Sequence, residues 1–172
     1  GLGNYTDITK ISGIFDLGKR IHRSALFADF DNDGRVDIYV TVNGQQIEDG
    51  KGNIINDENQ GKGILFQNKS GKSNNWLKVR LEGTKSNRDG YGTFVIVETN
   101  EVKQKKSLSS GEGYFGNNAQ EIYFGLGKAK SIDKLDIYWP SGIRESYKSI
   151  KCNQTIYIVE NKSLYKNTLV LR

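Results

Sequence analysis

Four aspartates lie within nine residues of one another, between two short apolar stretches of the chain. Counted from the first, they occupy loop positions 1, 3, 5 and 9. They are Asp29, Asp31, Asp33 and Asp37. Hard oxygen donors at alternate positions of a tight loop are the ligands that Ca²⁺ prefers. Gly34 at position 6 lets the chain turn back, so the carbonyl of Arg35 can point inward. The spacing therefore predicts a calcium site made by the four carboxylates and the Arg35 carbonyl.

Other interpretations of the acidic loop compete with calcium. An EF-hand needs a glutamate at position 12, where this chain has Val40, and helical rather than strand-like flanks. The Asp-Asn-Asp-Gly segment also favours an ordinary β-turn. A turn needs only one or two of these residues, however, and four close carboxylates repel one another unless a cation neutralises them. Mg²⁺ fits less well because it demands a smaller and more rigid ligand shell.

The elements around the loop are predicted to be short strands. Apolar, β-like runs cover residues 25–29 and 36–42, so the acidic loop joins two strands. A long polar segment rich in glycine and asparagine follows at 43–63, where a surface loop is favoured over a small hairpin. A further strand is predicted at 64–68. Residues 69–75 have the composition of a linker, which indicates a module boundary.

Beyond the linker the chain alternates clearly. Leu77, Val79 and Leu81 fall on one face of a predicted strand, and Lys78 and Arg80 fall on the other. Further strand-like segments are "GTFVIVETN", "EVKQKKSL", "EIYFGLG", "IDKLDIYWPSG" and "QTIYIVE". No helical stretch is convincing. The fold class predicted is all-β, with a strand–calcium loop–strand unit followed by a small antiparallel β-sandwich or barrel.

Composition narrows the function classes. The formal net charge is +5, but the lysines are scattered, and the densest group at 101–110 alternates as an exposed edge strand does. The positive charge is therefore better explained by a solubilising role than by nucleic-acid binding, and no nucleic-acid partner is predicted. The chain has no run of 18 apolar residues, so no membrane span is predicted. Asn-x-Ser/Thr motifs favour an extracellular chain. They begin at Asn4, Asn68, Asn153 and Asn161.

Catalytic motifs are weak. The "FGLGK" segment at 124–128 lacks the spacing of a phosphate-binding loop, so a strand-ending turn is the better interpretation. His22 is the one histidine and is distant in sequence from the Ser- and Glu-containing loop at 109–118, which argues against a Ser-His-Asp triad. No pair of carboxylates stands out as a glycosidase pair. We therefore predict that the chain is not an enzyme.

Four aromatic residues form a second candidate site. They are Tyr114, Phe115, Tyr138 and Trp139. Exposed aromatic rings on a β-sandwich can stack on sugar rings, so these residues predict a ligand-binding platform with carbohydrate as the expected ligand. Core packing is the alternative, and it is favoured for Trp139.

The motifs resemble those of a known family. The segment "ADFDNDGRVDIYV", followed by "GILFQN", resembles the calcium-binding repeat of FG-GAP/VCBS proteins. Residues 75–160 resemble the ASPIC/UnbV domain that follows such repeats in cartilage acidic protein-like proteins. The matching segments are "NNWLKVRLEGTKSNRDGYGTFVIV", "GEGYFGNN", "YFGLGKAKSIDKLDIYWPSG" and "IYIVE". The resemblance divides the chain into a repeat at 1–70, a β domain at 75–160 and a strand-like tail at 161–172.

This resemblance implies a non-catalytic, secreted or cell-surface module, with the periplasm as an alternative compartment. Adhesion, surface structure or subunit assembly is the expected role, with Ca²⁺ stiffening the 29–37 loop. The expected partner is a protein or a neighbouring subunit, contacted by strand addition of the tail. A carbohydrate-binding module or an accessory domain of a secreted enzyme is the alternative. Two departures stand out: one repeat is too little for a propeller, and "YGTF" at 91–94 replaces the usual Gly-Ala core.

Overall fold

The regular structure is built from strands. A computed structural model describes residues 4–14, 22–42, 47–48, 50–55, 61–71, 73–100, 102–114, 116–162 and 164–166. The described strands are β1 (His22–Ala28), β2 (Asp37–Val42), β3 (Ile47–Glu48), β4 (Ile54–Ile55), β5 (Ile64–Phe66), β6 (Asn75–Glu82), β7 (Phe94–Glu98), β8 (Lys103–Ser107), β9 (Ile122–Gly127), β10 (Ser131–Tyr138), β11 (Arg144–Lys151), β12 (Gln154–Val159) and β13 (Leu164–Lys166). The all-β prediction is confirmed. Over the same residues, no helix has the length and apolar character needed to cross a membrane.

The three-stranded sheet, which we call the N-terminal sheet, carries the acidic loop. Its strand order is β1-β2-β5, and both pairs are antiparallel. The β1–β2 ladder ends at the pair Ala28 and Asp37, so the acidic loop is the connection of a hairpin. The predicted strand–loop–strand unit is therefore present.

The polar segment after β2 contains a hairpin. Strands β3 and β4 pair antiparallel, with Ile47 opposite Ile55 and Glu48 opposite Ile54. The sequence favoured a surface loop here because two-residue strands are too short to produce a periodic pattern. Residues 43–46, 49 and 56–60 lie outside the described part of the chain.

Two four-stranded sheets form the sandwich predicted after the linker. We call β11-β10-β7-β8 the lysine sheet and β13-β12-β6-β9 the mixed sheet. Their inward-facing side chains form one apolar core, and the largest contributions include Leu77, Val79, Phe124, Leu126, Ile132, Leu135, Ile137, Ile156 and Ile158. Burial of alternate apolar residues is the main force that holds the two sheets together.

The sandwich departs from the expected antiparallel pattern at one pair. Strand β12 runs parallel to β6, with Gln154 opposite Leu77 and Val159 opposite Glu82. The chain reaches this position by leaving the lysine sheet at β11 and crossing to the mixed sheet, where Asn153 has a positive φ of 58°. The backbone N–H of Asn153 donates to the Trp76 carbonyl at 2.7 Å and so sets the start of the parallel pair.

Strand β11 has no counterpart in the sequence prediction. Its segment "RESYKSIK" is mostly polar and exposed, and it pairs with β10 as an edge strand of the lysine sheet. An edge strand with few buried side chains lacks the apolar alternation from which strands are predicted.

The tail is described only in part. Residues Leu164–Lys166 form β13, which pairs antiparallel with β12 of the same chain and becomes an edge of the mixed sheet. Residues 167–172 lie outside the described part. The predicted strand in the tail therefore exists at 164–166, where its partner is the chain's own sheet.

One buried carboxylate fixes two turns to the mixed sheet. Glu160, at the end of β12, is 0% exposed. Its Oε2 accepts the backbone N–H groups of Thr84, Lys85 and Ser86, each at 2.7 Å. Its Oε1 accepts the hydroxyls of Ser86, at 2.9 Å, and of Ser141. These donors lower the pKa of Glu160 to about 2 against the opposing effect of burial, which is the largest single influence.

Candidate metal centre

The acidic loop connects β1 to β2 in a tight turn. Asp29 follows the last residue of β1, and Asp37 is the first residue of β2. Two residues between them have positive φ, Asn32 at 58° and Gly34 at 85°. Asparagine and glycine tolerate this left-handed conformation best, which is why the sequence can turn twice within so few residues.

Three of the predicted carboxylates meet. Oxygen atoms of Asp29, Asp31 and Asp37 all lie within 4.8 Å of one another. Asp29 and Asp37 are buried, whereas Asp31 is exposed. Their placement follows from the fold, because β1 and β2 bring the two ends of the loop side by side.

The other two predicted ligands, Asp33 and Arg35, contact each other. The Asp33 carboxylate pairs with the Arg35 guanidinium and accepts the Arg35 backbone N–H at 2.9 Å. Arg35 Nε also donates to the carbonyl of Asn68 at 2.7 Å. The Asp33 carboxylate therefore has its own counterion. The Arg35 carbonyl stays a predicted ligand.

The loop's carboxylates also serve as turn-forming acceptors. Asp29 accepts the backbone N–H groups of Asp33 at 3.0 Å and Gly34 at 3.1 Å. Asp37 accepts those of Phe30 at 3.0 Å and Asn68 at 2.7 Å. These bonds are the ones an acidic turn would make without metal. A carboxylate has about four acceptor positions, however, so capacity remains on both side chains.

Lys78 of the mixed sheet reaches into the loop. Its Nζ lies 2.9 Å from Asp29 Oδ2, 3.1 Å from Asn32 Oδ1 and 3.7 Å from a Glu121 oxygen. The Lys78 and Asp29 side chains are both almost wholly buried, at 2% and 0% exposed. The sequence placed Lys78 on the polar face of its strand. That face is covered by the acidic loop, and only a long-range contact decides this.

The donor set of the loop fits a divalent cation. Three carboxylates carry three negative charges, and the nearest ammonium, that of Lys78, is shared with Glu121. The Gln67 amide donates to Asp31 at 2.5 Å, and this bond is the largest cause lowering the pKa of the Asp31 carboxyl. Carboxylate oxygens that lack a full complement of positive charge suit a hard cation such as Ca²⁺.

Two aromatic residues of the mixed sheet, Trp76 and Tyr123, contact the acidic loop. Trp76 packs against Gly34 so closely that a Cβ added to Gly34 would lie 2.0 Å from the indole ring. The Tyr123 hydroxyl accepts the Asp29 backbone N–H at 3.2 Å and donates to Glu121. Burial, followed by the bond to Glu121, raises the pKa of Tyr123, so the phenol stays neutral. Gly34 is thus required both for its φ and for contact with the second module.

A cavity of about 340 Å³ adjoins the loop. Asp33, Gly34 and Arg35 line it on one side, and Asn68, Trp76 and further residues of the linker and mixed sheet line it on the other. Its lining is mainly polar amides and hydroxyls, and Asp33 is the carboxylate that borders it, so it suits water better than an apolar ligand.

The four aromatic candidates do not form one platform. Trp139 is buried in the core, 4% exposed, and its indole N–H donates to Glu145, so no ring face is free for a ligand. Tyr138 stacks on Phe94 on the lysine sheet. Tyr114 is exposed, and the Cζ atom of Arg23 lies 5.8 Å from the centroid of its ring. Phe115 lies outside the described residues.

With this geometry established, comparison with known proteins gives two findings. Residues 83–164 match the ASPIC and UnbV family. The chain is also similar to cartilage acidic protein 1 of Xenopus tropicalis, at 28% identity over 116 residues. That alignment covers 66% of this chain and 16% of the relative, so the chain corresponds to a small part of the relative's length.

The ASPIC and UnbV match covers most of the sandwich. It includes Glu160 with its donors and the loop-contacting residues Glu121 and Tyr123. Trp76, Lys78 and the acidic loop precede it in the chain. The candidate metal centre is therefore assembled between the matched segment and the segment before it.

Proposed function

We propose that this chain is a non-catalytic, calcium-binding module of an extracellular protein, with a role in adhesion, surface structure or subunit assembly. The observation that carries the proposal is the meeting of Asp29, Asp31 and Asp37 within 4.8 Å, where the N-terminal sheet contacts the mixed sheet. A cation held there binds to both ends of the β1–β2 connection at once.

Calcium suits this place better than magnesium. The carboxylates of this loop also accept backbone N–H groups. Those bonds restrict how the carboxylates can be oriented, so the oxygens are not free to adopt an ideal octahedral arrangement around an ion. Ca²⁺ accepts six to eight oxygens in flexible arrangements, whereas Mg²⁺ demands near-ideal octahedral geometry. Water can complete the shell from the side of Asp31, which is exposed.

The proposed role of the ion is structural. The loop already contacts Trp76, Lys78 and Tyr123 of the mixed sheet. Neutralising its carboxylates removes their mutual repulsion and stabilises the loop in the conformation that makes these contacts. Calcium then stiffens the connection between the N-terminal sheet and the sandwich.

An extracellular setting agrees with this role. The similar protein from Xenopus tropicalis is named for cartilage. Extracellular calcium modules commonly bind at 10⁻⁴–10⁻³ M, an affinity that a partly exposed three-carboxylate loop can supply. The Asn-x-Ser/Thr motifs of the sequence point the same way.

The proposed partner is a protein or a neighbouring subunit. Strand β13 is an edge of the mixed sheet and presents its outer backbone groups for pairing. A strand added there would extend the sheet. A chain ending at residue 160 that assembles as the full chain does would rule out this part of the proposal.

Thermal unfolding with and without metal tests the calcium site. At a free calcium concentration 100 times Kd, binding adds about 2.7 kcal/mol. This is roughly 5–10 °C in Tm for a chain of this size. We expect the rise in Ca²⁺ but little in equal Mg²⁺, and we expect Asp37→Asn to abolish it. The exposed carboxylate Asp133 provides the matched control, Asp133→Asn, which keeps the full rise.

A second pair of variants separates the ligands. Asp31→Asn removes a member of the carboxylate group and should reduce the calcium-dependent rise, whereas Asp33→Asn removes a carboxylate already paired with Arg35 and should reduce it less. Equal Tm values in Ca²⁺ and chelator, together with no bound metal by elemental analysis, would overturn the calcium proposal.

A further inference from the structure

The outward face of the lysine sheet concentrates positive charge. In β7 and β10, Val95, Val97, Leu135 and Ile137 point into the core, so the residues between them point outward. Residues directly opposite these across β8 and β11 share the outward face. The cations on it include Lys103, Lys105, Lys134, Arg144 and Lys148, and the carboxylates Glu98 and Asp136 share the face with them.

Two of the cations are held in place by a pair of aromatic rings. Phe94 and Tyr138 stack with centroids 4.5 Å apart and planes 12° apart. Lys105 Nζ lies 4.0 Å from the Phe94 centroid, and Arg144 Cζ lies 5.4 Å from the Tyr138 centroid. Across the sheet the order is therefore Arg144, Tyr138, Phe94, Lys105. Cation–π attraction orients both charges without neutralising them.

The carboxylates on this face are already engaged. Lys134 Nζ binds Asp136 Oδ2 at 2.6 Å, and Lys103 pairs with Glu98. Within the described part of the chain, Lys105, Arg144 and Lys148 have no ion-pair partner. A shallow depression of about 220 Å³ adjoins Arg144 and is large enough for a sulfate or carboxylate group with part of a sugar ring. Its other lining residues are Lys134, Ile137, Tyr138 and Ser146, with the carboxylates Asp136 and Glu145.

We propose that this face binds an anionic polysaccharide, with sulfate or carboxylate groups of the glycan contacting Arg144 and Lys105 on either side of the Phe94–Tyr138 pair. Sugar hydroxyls donate to the oxygens of Asp136 and Glu98 that the lysines leave available. This site is independent of the acidic loop and of the calcium proposal.

The same geometry disfavours a nucleic-acid strand. Single-stranded nucleic acid needs exposed ring faces on which its bases stack. Here each ring has one face on the other ring and one face under a cation. The two carboxylates also repel a phosphate backbone, which has no donor to offer them, whereas glycan hydroxyls can hydrogen-bond to them.

Heparin binding, measured by calorimetry at several salt concentrations, tests the proposal. We expect the double variant Lys105→Ala/Arg144→Ala to bind at least tenfold more weakly and with a shallower salt dependence, because fewer counterions are released from the polyanion. Lys105→Arg/Arg144→Lys, which keeps both charges, should retain most of the affinity. Lys10→Ala/Lys69→Ala removes two exposed cations that lie off this sheet and should bind as the unchanged chain does.

Comparison probes decide between glycan and other anions. Hyaluronan tests carboxylates alone, dextran tests neutral sugar, and oligonucleotide and phosphatidylserine vesicles test the other polyanions. Binding of heparin or hyaluronan in both calcium and chelator, lost only in the Lys105/Arg144 pair, supports the proposal. Tighter binding of the oligonucleotide or the vesicles, equal loss in the control pair, or no glycan binding at low salt by correctly melting protein would overturn it.

Discussion

The chain buries carboxylate charge at two sites, and the groups that surround the charge differ between them. At the end of β12, one anion, Glu160, meets three backbone N–H groups and two hydroxyls. In the acidic loop, three anions meet one another and a single ammonium, that of Lys78. The first site is electrostatically complete with neutral donors, whereas the second keeps an excess of negative charge.

This difference shows what separates a carboxylate that neutral donors satisfy from a group of carboxylates that still lacks positive charge. Burial alone does not separate them, since Asp37 at 1% and Glu160 at 0% are equally covered. The ratio of anions to donors and cations does separate them. Glu160 should stabilise the fold without help, and the acidic loop should depend on what neutralises it.

The largest expected effect is that of Glu160→Gln. The amide keeps one acceptor oxygen for the five donors and loses the negative charge that strengthens these bonds, so we expect a loss of about 4 kcal/mol in the free energy of unfolding. Urea unfolding in calcium and in chelator measures it, and the loss should be the same in both. A calcium-dependent loss would break the distinction between the two sites. Asp133→Asn, at an exposed position, is the control.

Acid should act through the same residue. The pKa of Glu160 is about 2 in the folded chain and ordinarily 4.5. Because the folded value is the lower one, its contribution is present above about pH 4.5 and is lost as the pH falls towards 2. The shift corresponds to about 3 kcal/mol. Urea midpoints from pH 6 to pH 2 should fall further for the unchanged chain than for Glu160→Gln, and parallel curves would contradict this assignment.

The acidic loop is probed by Lys78→Met. Without metal, losing the buried ammonium should cost about 2 kcal/mol, since Asp29 keeps its two backbone donors. With calcium the loss should shrink, because the ion replaces the missing charge and no longer competes with the ammonium. The calcium-dependent rise in Tm is therefore expected to be larger than in the unchanged chain. Lys148→Met, which removes an exposed cation on the lysine sheet, should leave that rise as it is.

The smallest difference concerns two glycines. Gly34 and Gly111 have similar φ values, 85° and 73°, but only Gly34 lies against Trp76. Each alanine substitution costs about 1–2 kcal/mol for the left-handed backbone. Gly34→Ala should cost about 1.5 kcal/mol more, because the added Cβ displaces the indole. Equal losses in chemical denaturation would show that the contact between loop and mixed sheet adds no stability.

The predictable part of this fold is its local pattern. The alternation of Leu77, Val79 and Leu81 predicted a strand with a buried face, and β6 has it. The lysine-rich segment at 101–110 was predicted as an edge strand, and β8 is one. Strand β11 was missed, and the hairpin at Ile47–Ile55 was the less favoured alternative to a surface loop, because a polar edge strand and two-residue strands give no periodic signal.

The grouping of the acidic side chains was predictable from the sequence, but their surroundings were not. The spacing of Asp29, Asp31 and Asp37 follows from the loop's own sequence, and the structure groups these three. Asp33 pairs with Arg35, a local contact two residues away that spacing could have suggested. Trp139, proposed as a ligand platform, lies in the core, as the alternative for that residue had it.

By itself, the sequence determined the turn of the acidic loop, the faces of the central strands and the sites where glycine or asparagine must reverse the chain, because these depend on neighbours within a few residues. Only the tertiary structure decided that Lys78 meets Asp29, that Trp76 covers Gly34 and that Glu160 binds donors 74 to 76 residues away. A two-residue period fixes which face of a strand a side chain occupies. What covers that face depends on register and on packing between sheets, which local sequence does not encode.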